Sequence, residues 1–166
     1  MKAAALLLAL TLAACADPIR GTVVDCHDGD TIKVRLADRT FLKVRLQSID
    51  APEIKQLGGI ESRDTLRRLA PLNQPVFVES TQRDKYGRAL GTLFRNGQNL
   101  NLTLVRSGQA WVYRKYCSDP VYLHAEAQAQ KEHLGIWKNP SAMAPWIFRH
   151  LPKRPVDKLV SVQTGR

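Results

Sequence analysis

The sequence predicts an α+β fold that is mainly β, a five-stranded Greek-key barrel of the OB type with three helices. Three observations lead there. Short stretches of alternating apolar and charged residues come first along the chain, and stretches with helical spacing come later. Gly, Pro and Asn-Gly punctuation separates them. The length, 166 residues, suits one domain. Alternation alone leaves a β-sandwich open.

The first strand is expected around Val23-Val24. In the second, Ile32, Val34 and Leu36 alternate with Lys33 and Arg35; in the third, Leu42, Val44 and Leu46 face away from Lys43, Arg45 and Gln47. Asp38-Arg39 is the turn between them. A helix over Ser62 to Ala70 places Leu66, Leu69 and Ala70 on one side and is stopped by Pro71. Val76-Phe77-Val78 after Pro75 is the fourth strand, and Ala89 to Phe94, closed by Asn96-Gly97, is the fifth. A second helix, Asn101 to Ser107, ends at Gly108. The third runs from Pro120 to Leu134, with Asp119 as its cap. Beyond Trp137, Pro140, Pro145, Pro152 and Pro155 interrupt any period, which predicts a tail wrapping the domain at Pro145-Trp146 and then loosening. Trp111, Trp137 and Trp146 suit core or tail-docking positions.

Lys and Arg number 25 against 15 Asp and Glu, a net charge of +10 and a pI of 9.9, so the partners to expect are polyanions. Collagen, coiled coil and polytopic membrane protein are excluded, because no long repeat occurs and one apolar run stands alone. That run, Ala3 to Ala14 behind Lys2, is shorter than the roughly 20 residues of a spanning helix and reads as an export leader. Leu12-Ala13-Ala14-Cys15 resembles a bacterial lipobox, with lipid on Cys15 and a membrane anchor. Ala14-Cys15-Ala16 also permits cleavage after Ala16 and a soluble periplasmic or extracellular chain. The expected division is a leader over 1–15, a folded domain over 17–137 and a Pro-rich basic tail over 138–166. A monomer is expected. In an oxidising compartment Cys26 and Cys117 form an even pair, so a disulfide is expected, with two buried free thiols as the alternative. Neither cysteine has zinc-finger spacing.

Chemistry concentrates in ordered segments. Asp28-Gly29-Asp30-Thr31 turns into the second strand, and Arg45-Leu46-Gln47-Ser48-Ile49-Asp50-Ala51-Pro52-Glu53 carries the third out into a loop. Asp84-Lys85-Tyr86-Gly87-Arg88 precedes the fifth strand. Asp30 at a strand start and Asp50 at a strand end can converge, and a hard cation between them would relieve their repulsion. Arg45 alternates with Val44 and Leu46, which places it off the core face.

With Glu126-Ala127-Gln128-Ala129 and Leu134-Gly135-Ile136-Trp137, these segments in this order resemble the staphylococcal nuclease, or thermonuclease, family over residues 19–137. DGDT alone is common in turns; four segments in order are specific. The resemblance implies an OB barrel and Ca²⁺ held by Asp30, Asp50 and the backbone carbonyl of Ala51, where the prototype has Thr. It implies that Glu53 acts on the attacking water and that Arg45 and Arg88 clamp the phosphate, as forked guanidinium groups suit. It also implies that Lys85 and Tyr86 meet a terminal phosphate and a base, with Tyr113 and Tyr116 where the family has base-flanking tyrosines. Register does not choose between those last two. The expected activity is Ca²⁺-dependent, sugar-non-specific cleavage of DNA and RNA to 3′-phosphate products. The alternative is a non-catalytic OB module of the envelope that binds nucleic acid or protein. Degenerate members of the family lose some charged positions, whereas Asp30, Arg45, Asp50, Glu53 and Arg88 are all present here. A structural envelope lipoprotein would explain the basic charge but none of these segments.

Overall fold

The computed structural model describes residues 17–152. The leader with its lipid site at Cys15, and the tail beyond Pro152, lie outside the described residues.

Strand β1 (Ile19–Cys26) pairs antiparallel with β2 (Thr31–Arg35) on one edge and with β5 (Pro75–Arg83) on the other. Strand β2 pairs with β3 (Phe41–Leu46), and β5 with β6 (Ala89–Arg95). Parallel pairing of Val44, Arg45 and Leu46 with Ala89, Leu90 and Gly91 closes the ring β1-β2-β3-β6-β5. This is the five-stranded OB barrel that alternation and turns predicted, and closure leaves no open edge among its strands. Register breaks in β1 at Val23/Asp25 and in β5 at Ser80/Gln82 give the bends that closure needs.

The period-two residues fill the interior: Val23, Ile32, Val34, Val44, Leu46, Val76, Val78 and Leu93 are fully buried. Each such side chain contributes roughly 1.5–3 kcal/mol of transfer free energy. Lys33, Arg35 and Lys43 stand outside. Asn101 is a polar plug at the β3–β6 seam. Its Nδ2 donates to the Gln47 and Gly91 carbonyls at 3.0 and 3.1 Å, and its Oδ1 accepts from Leu93 N at 3.1 Å, so it is buried and satisfied.

Three helices cover the barrel. Helix α1 (Gly59–Leu69) starts three residues before the expected Ser62, and α2 (Leu100–Arg106) starts behind an Asn99 side chain that accepts from Leu102 N. Gly108 follows α2 with φ 66°, as its C′ position requires. Helix α3 (Pro120–Lys131) has Asp119 as cap and Pro120 in its first turn. It ends short of the expected Leu134, because His133 adopts φ 52° and turns the chain into a 3₁₀ turn at Gly135–Lys138. Three two-residue strands have no period to reveal them. They are β4 (Ile49–Asp50) paired with β8 (Trp111–Val112), and β7 (Gln98–Asn99) returning on β6. In the tail, Pro145 opens a short helix α4 (Pro145–Phe148), and Ala144 packs with Trp111 and Ile136.

The expected Cys26–Cys117 disulfide is not formed; both thiols are free and buried. Cys26 lies under the end of α1 with Sγ 3.9 Å from the Ala70 carbonyl oxygen, whereas Cys117 precedes α3 near Tyr122. Burial pushes the Cys26 thiol up to about 12, which withholds the thiolate that oxidation uses.

Candidate active site

The end of β3 and the loop after it set the centre. Arg45 Nη1 donates to the Leu46 and Ile49 carbonyls at 2.6 and 2.9 Å, which fixes the guanidinium at the strand exit. Its Nη2 meets Asp50 Oδ1 at 2.9 Å and Asp30 Oδ2 at 3.1 Å. The two carboxylates therefore converge on one cationic nitrogen. Asp50 is fully buried on β4, whose partner β8 pairs Asp50 with Trp111.

Asp30 is placed by its turn. Its own N–H donates to Asp28 Oδ1 at 3.1 Å, Thr31 Oγ1 donates to its Oδ1 at 3.2 Å, and Ala51 N–H donates to its Oδ2 at 2.7 Å. Burial pushes its carboxyl up to about 7, against the opposing pull of Arg45. Gly29 is obligatory for a steric reason. A Cβ there would lie 1.9 Å from Ser62 Oγ and 2.8 Å from Ala51 Cβ, so α1 and the Asp50 loop both press on this turn.

Glu53 stands at the mouth, its side chain 39% exposed. A residue that sequence reasoning missed reaches it: Arg149, at the end of α4. Its Nη2 meets Asp50 Oδ2 at 2.7 Å, and its Nη1 meets Asp50 Oδ1 at 3.2 Å and Glu53 Oε1 at 2.8 Å. The hydrogen bonds to Asp50 and then Glu53 hold this guanidinium above even its ordinary range, so its charge is permanent. Nothing in the spacing of the tail could have located it; Pro145-Trp146 as a docking point was the only signal.

Arg88 is placed by register, since the next residue, Ala89, pairs with Val44 beside Arg45. Asp84 holds it, accepting from Arg88 Nε at 2.6 Å and from the N–H groups of Tyr86 and Arg88 at 2.9 Å. Lys85 and Tyr86 ride on that turn, with Lys85 Nζ 5.1 Å from the Tyr86 ring centre. Among the described residues no hydrogen bond or ion pair joins them to the carboxylates. Tyr113 follows β8 and donates its N–H to the Ser48 carbonyl at 2.9 Å, which brings it alongside the Asp50 loop. Tyr116 meets it edge-on at 5.0 Å, so both tyrosines belong to one cluster, and Trp146 of α4 stacks on Tyr113 at 5.4 Å and 6°. Buried Glu126 braces this segment by accepting from Val112 N at 2.8 Å and from Arg114 Nη2 at 2.6 Å.

Among the described residues no three His, Cys, Asp or Glu side chains form a complete metal cage. Asp30 and Asp50 nevertheless present hard oxygens around a point already occupied by positive charge, the Arg45 nitrogen. That donor set fits a hard divalent cation that keeps part of its water shell.

The family described as "Staphylococcal nuclease homologue" matches residues 43–139. An "Uncharacterized endonuclease" of Escherichia coli O157:H7 is 43% identical over 137 residues, 82% of this chain and 88% of that relative. A "Micrococcal nuclease" of Shigella flexneri is 40% identical over 166 residues, covering 93% of this chain and 94% of its own. Fold, centre and relatives define an OB-barrel hydrolase of phosphodiesters. The chain belongs to the staphylococcal nuclease family.

Proposed function

We propose that this nuclease cuts DNA and RNA internally with little sequence preference, uses Ca²⁺, and leaves 3′-phosphate ends. The observation that carries the reading is the Arg45 guanidinium, locked by two backbone carbonyls while it faces the converging carboxylates of Asp30 and Asp50. Asp30, Asp50 and the Ala51 carbonyl would hold the ion, which when bound supplies Lewis-acid polarisation of the phosphate. Glu53 takes a proton from the water that attacks phosphorus, and the P–O5′ bond breaks as the 5′-oxygen gains a proton from solvent and leaves as a hydroxyl. Arg45 and Arg88 offer N–H groups to the non-bridging oxygens, where charge builds. Arg88 is engaged by Asp84 through Nε, and among the described residues its terminal nitrogens carry no protein hydrogen bond. Lys85 and Tyr86 contact a neighbouring phosphate and base, and the Tyr113–Tyr116 cluster offers ring faces. Stacking accepts every base, which accounts for the low sequence preference.

The test is cleavage of plasmid DNA and of a folded RNA by the purified protein, in Ca²⁺ or in chelator. Both should be cut in Ca²⁺ alone, and Glu53→Gln, Arg45→Ala and Arg88→Ala should each lower turnover by at least about 100-fold. Binding without cleavage in Ca²⁺, Mg²⁺ and Mn²⁺ would transfer the protein to the alternative, a non-catalytic OB module.

A further inference from the structure

Helix α4 covers the centre with groups that resemble what the centre is built to bind. Ala144 and Pro145 are buried, the former against Trp111 and Ile136, and Gln56 of the Glu53 loop donates to the Met143 carbonyl. From that anchor one helical turn carries two side chains into the site. Trp146 lies flat on Tyr113, the ring face offered to a nucleobase. Arg149 takes both carboxylate oxygens of Asp50 and one of Glu53. The helix follows residues 43–139, the stretch that the family model matches.

We propose that α4 is a built-in competitor, with Arg149 holding the oxygens that a divalent cation and the attacking water need and Trp146 holding a base-stacking face. The identity of what is displaced rests on the nuclease reading; the occlusion rests on the contacts. A cation that takes Asp50 competes with the positive charge of Arg149, since Oδ1 already receives Arg45 and Arg149 and Oδ2 receives Arg149. Arg45 is the one that stays. Its side chain is 14% exposed and bound to two carbonyls, whereas that of Arg149 is 39% exposed at the end of a four-residue helix. A helix that short has almost no stability of its own, so its place over the site depends on the contacts made by Ala144, Trp146 and Arg149. Metal and nucleotide therefore open the site by removing both contacts, and the shut form lowers the apparent affinity for each.

Calorimetric titration of Ca²⁺ into the metal-free protein tests this, with Arg149→Gln, Arg149→Lys and Asp50→Asn beside the wild type. Arg149→Gln should bind Ca²⁺ about tenfold more tightly. Arg149→Lys, which keeps the charge and loses the fork, should fall between, and Asp50→Asn should not bind. Tryptophan fluorescence, compared with Trp146→Phe, should report loss of the Tyr113 stack when Ca²⁺ and a short DNA oligomer are added together. Equal or weaker Ca²⁺ binding by Arg149→Gln, with cleavage of DNA by the wild type intact, would overturn the competitor and leave the nuclease reading standing. Ca²⁺ binding by none of the four proteins, with no cleavage in any metal, would overturn both.

Discussion

The surroundings of Asp30 alter its chemistry strongly, and the change has a sign that can be measured. Burial raises its folded pKa from the ordinary 3.8 to about 7, so the folded protein holds this proton more tightly than the unfolded chain. Its contribution to stability is therefore full below the lower value and is lost as the pH climbs through the upper one. A divalent cation competes with that proton and restores the balance. In chelator, the melting temperature should fall between about pH 5 and 8, the Ca²⁺-induced rise should grow over that window, and Asp30→Asn should lose both slopes. A wild-type melting temperature that climbs over the window in chelator would remove Asp30 from the account. At this scale the sequence made the acidic and basic centre legible, because Asp30, Arg45 and Asp50 sit at strand ends with conspicuous motifs. Arg149 was illegible, because its partners Asp50 and Glu53 lie 99 and 96 positions away with no period between.

Elements place those residues, and in the turn before β2 the placement is tight. Gly29 carries no strained dihedral; its requirement is space, with Ser62 of α1 on one side and Ala51 on the other. Ser62 cannot simply retreat, because its Oγ donates to the Gln109 carbonyl at 2.7 Å and ties α1 to the start of β8. Gly29→Ala should therefore push the turn, α1 and the Asp50 loop apart. Overpacking of this kind costs about 1–3 kcal/mol, and denaturant unfolding should show it. Turnover should fall with it, because Asp30 and Ala51 move relative to one another. A variant as stable and as active as the wild type would show that the turn is loose. Long strands announce themselves by alternation, so β1, β2, β3, β5 and β6 were all expected near where they form. Two-residue β4, β7 and β8 and four-residue α4 carry too few residues for a period, and only packing against the finished barrel creates them.

Across the whole molecule, an acidic centre sits in a chain of net charge +10. The two are complementary: the converging carboxylates offer oxygens suited to a cation, and the basic surface suits a polyanion. The outward face of β2 and β3 shows how. Thr31 pairs with Arg45, Lys33 with Lys43 and Arg35 with Phe41, so the face that carries Arg45 continues as a basic strip away from the centre. Lys33 and Lys43 are directly opposed and exposed, a pairing that costs a sheet some stability, and Lys33 also lies 4.3 Å from the Phe41 ring centre. A phosphate bound between them would offset that repulsion. At saturating Ca²⁺, kcat/KM on duplex DNA should fall as salt rises, with a logarithmic slope near −0.9 for each phosphate neutralised. Lys33→Ala with Lys43→Ala should make that slope shallower by about 1 to 2 while kcat at saturating DNA is kept, because neither lysine touches the carboxylates. A double variant with the wild-type slope would exclude Lys33 and Lys43 from the phosphate contacts. A response flat in salt would mean that the basic surface plays no part in gripping the strand.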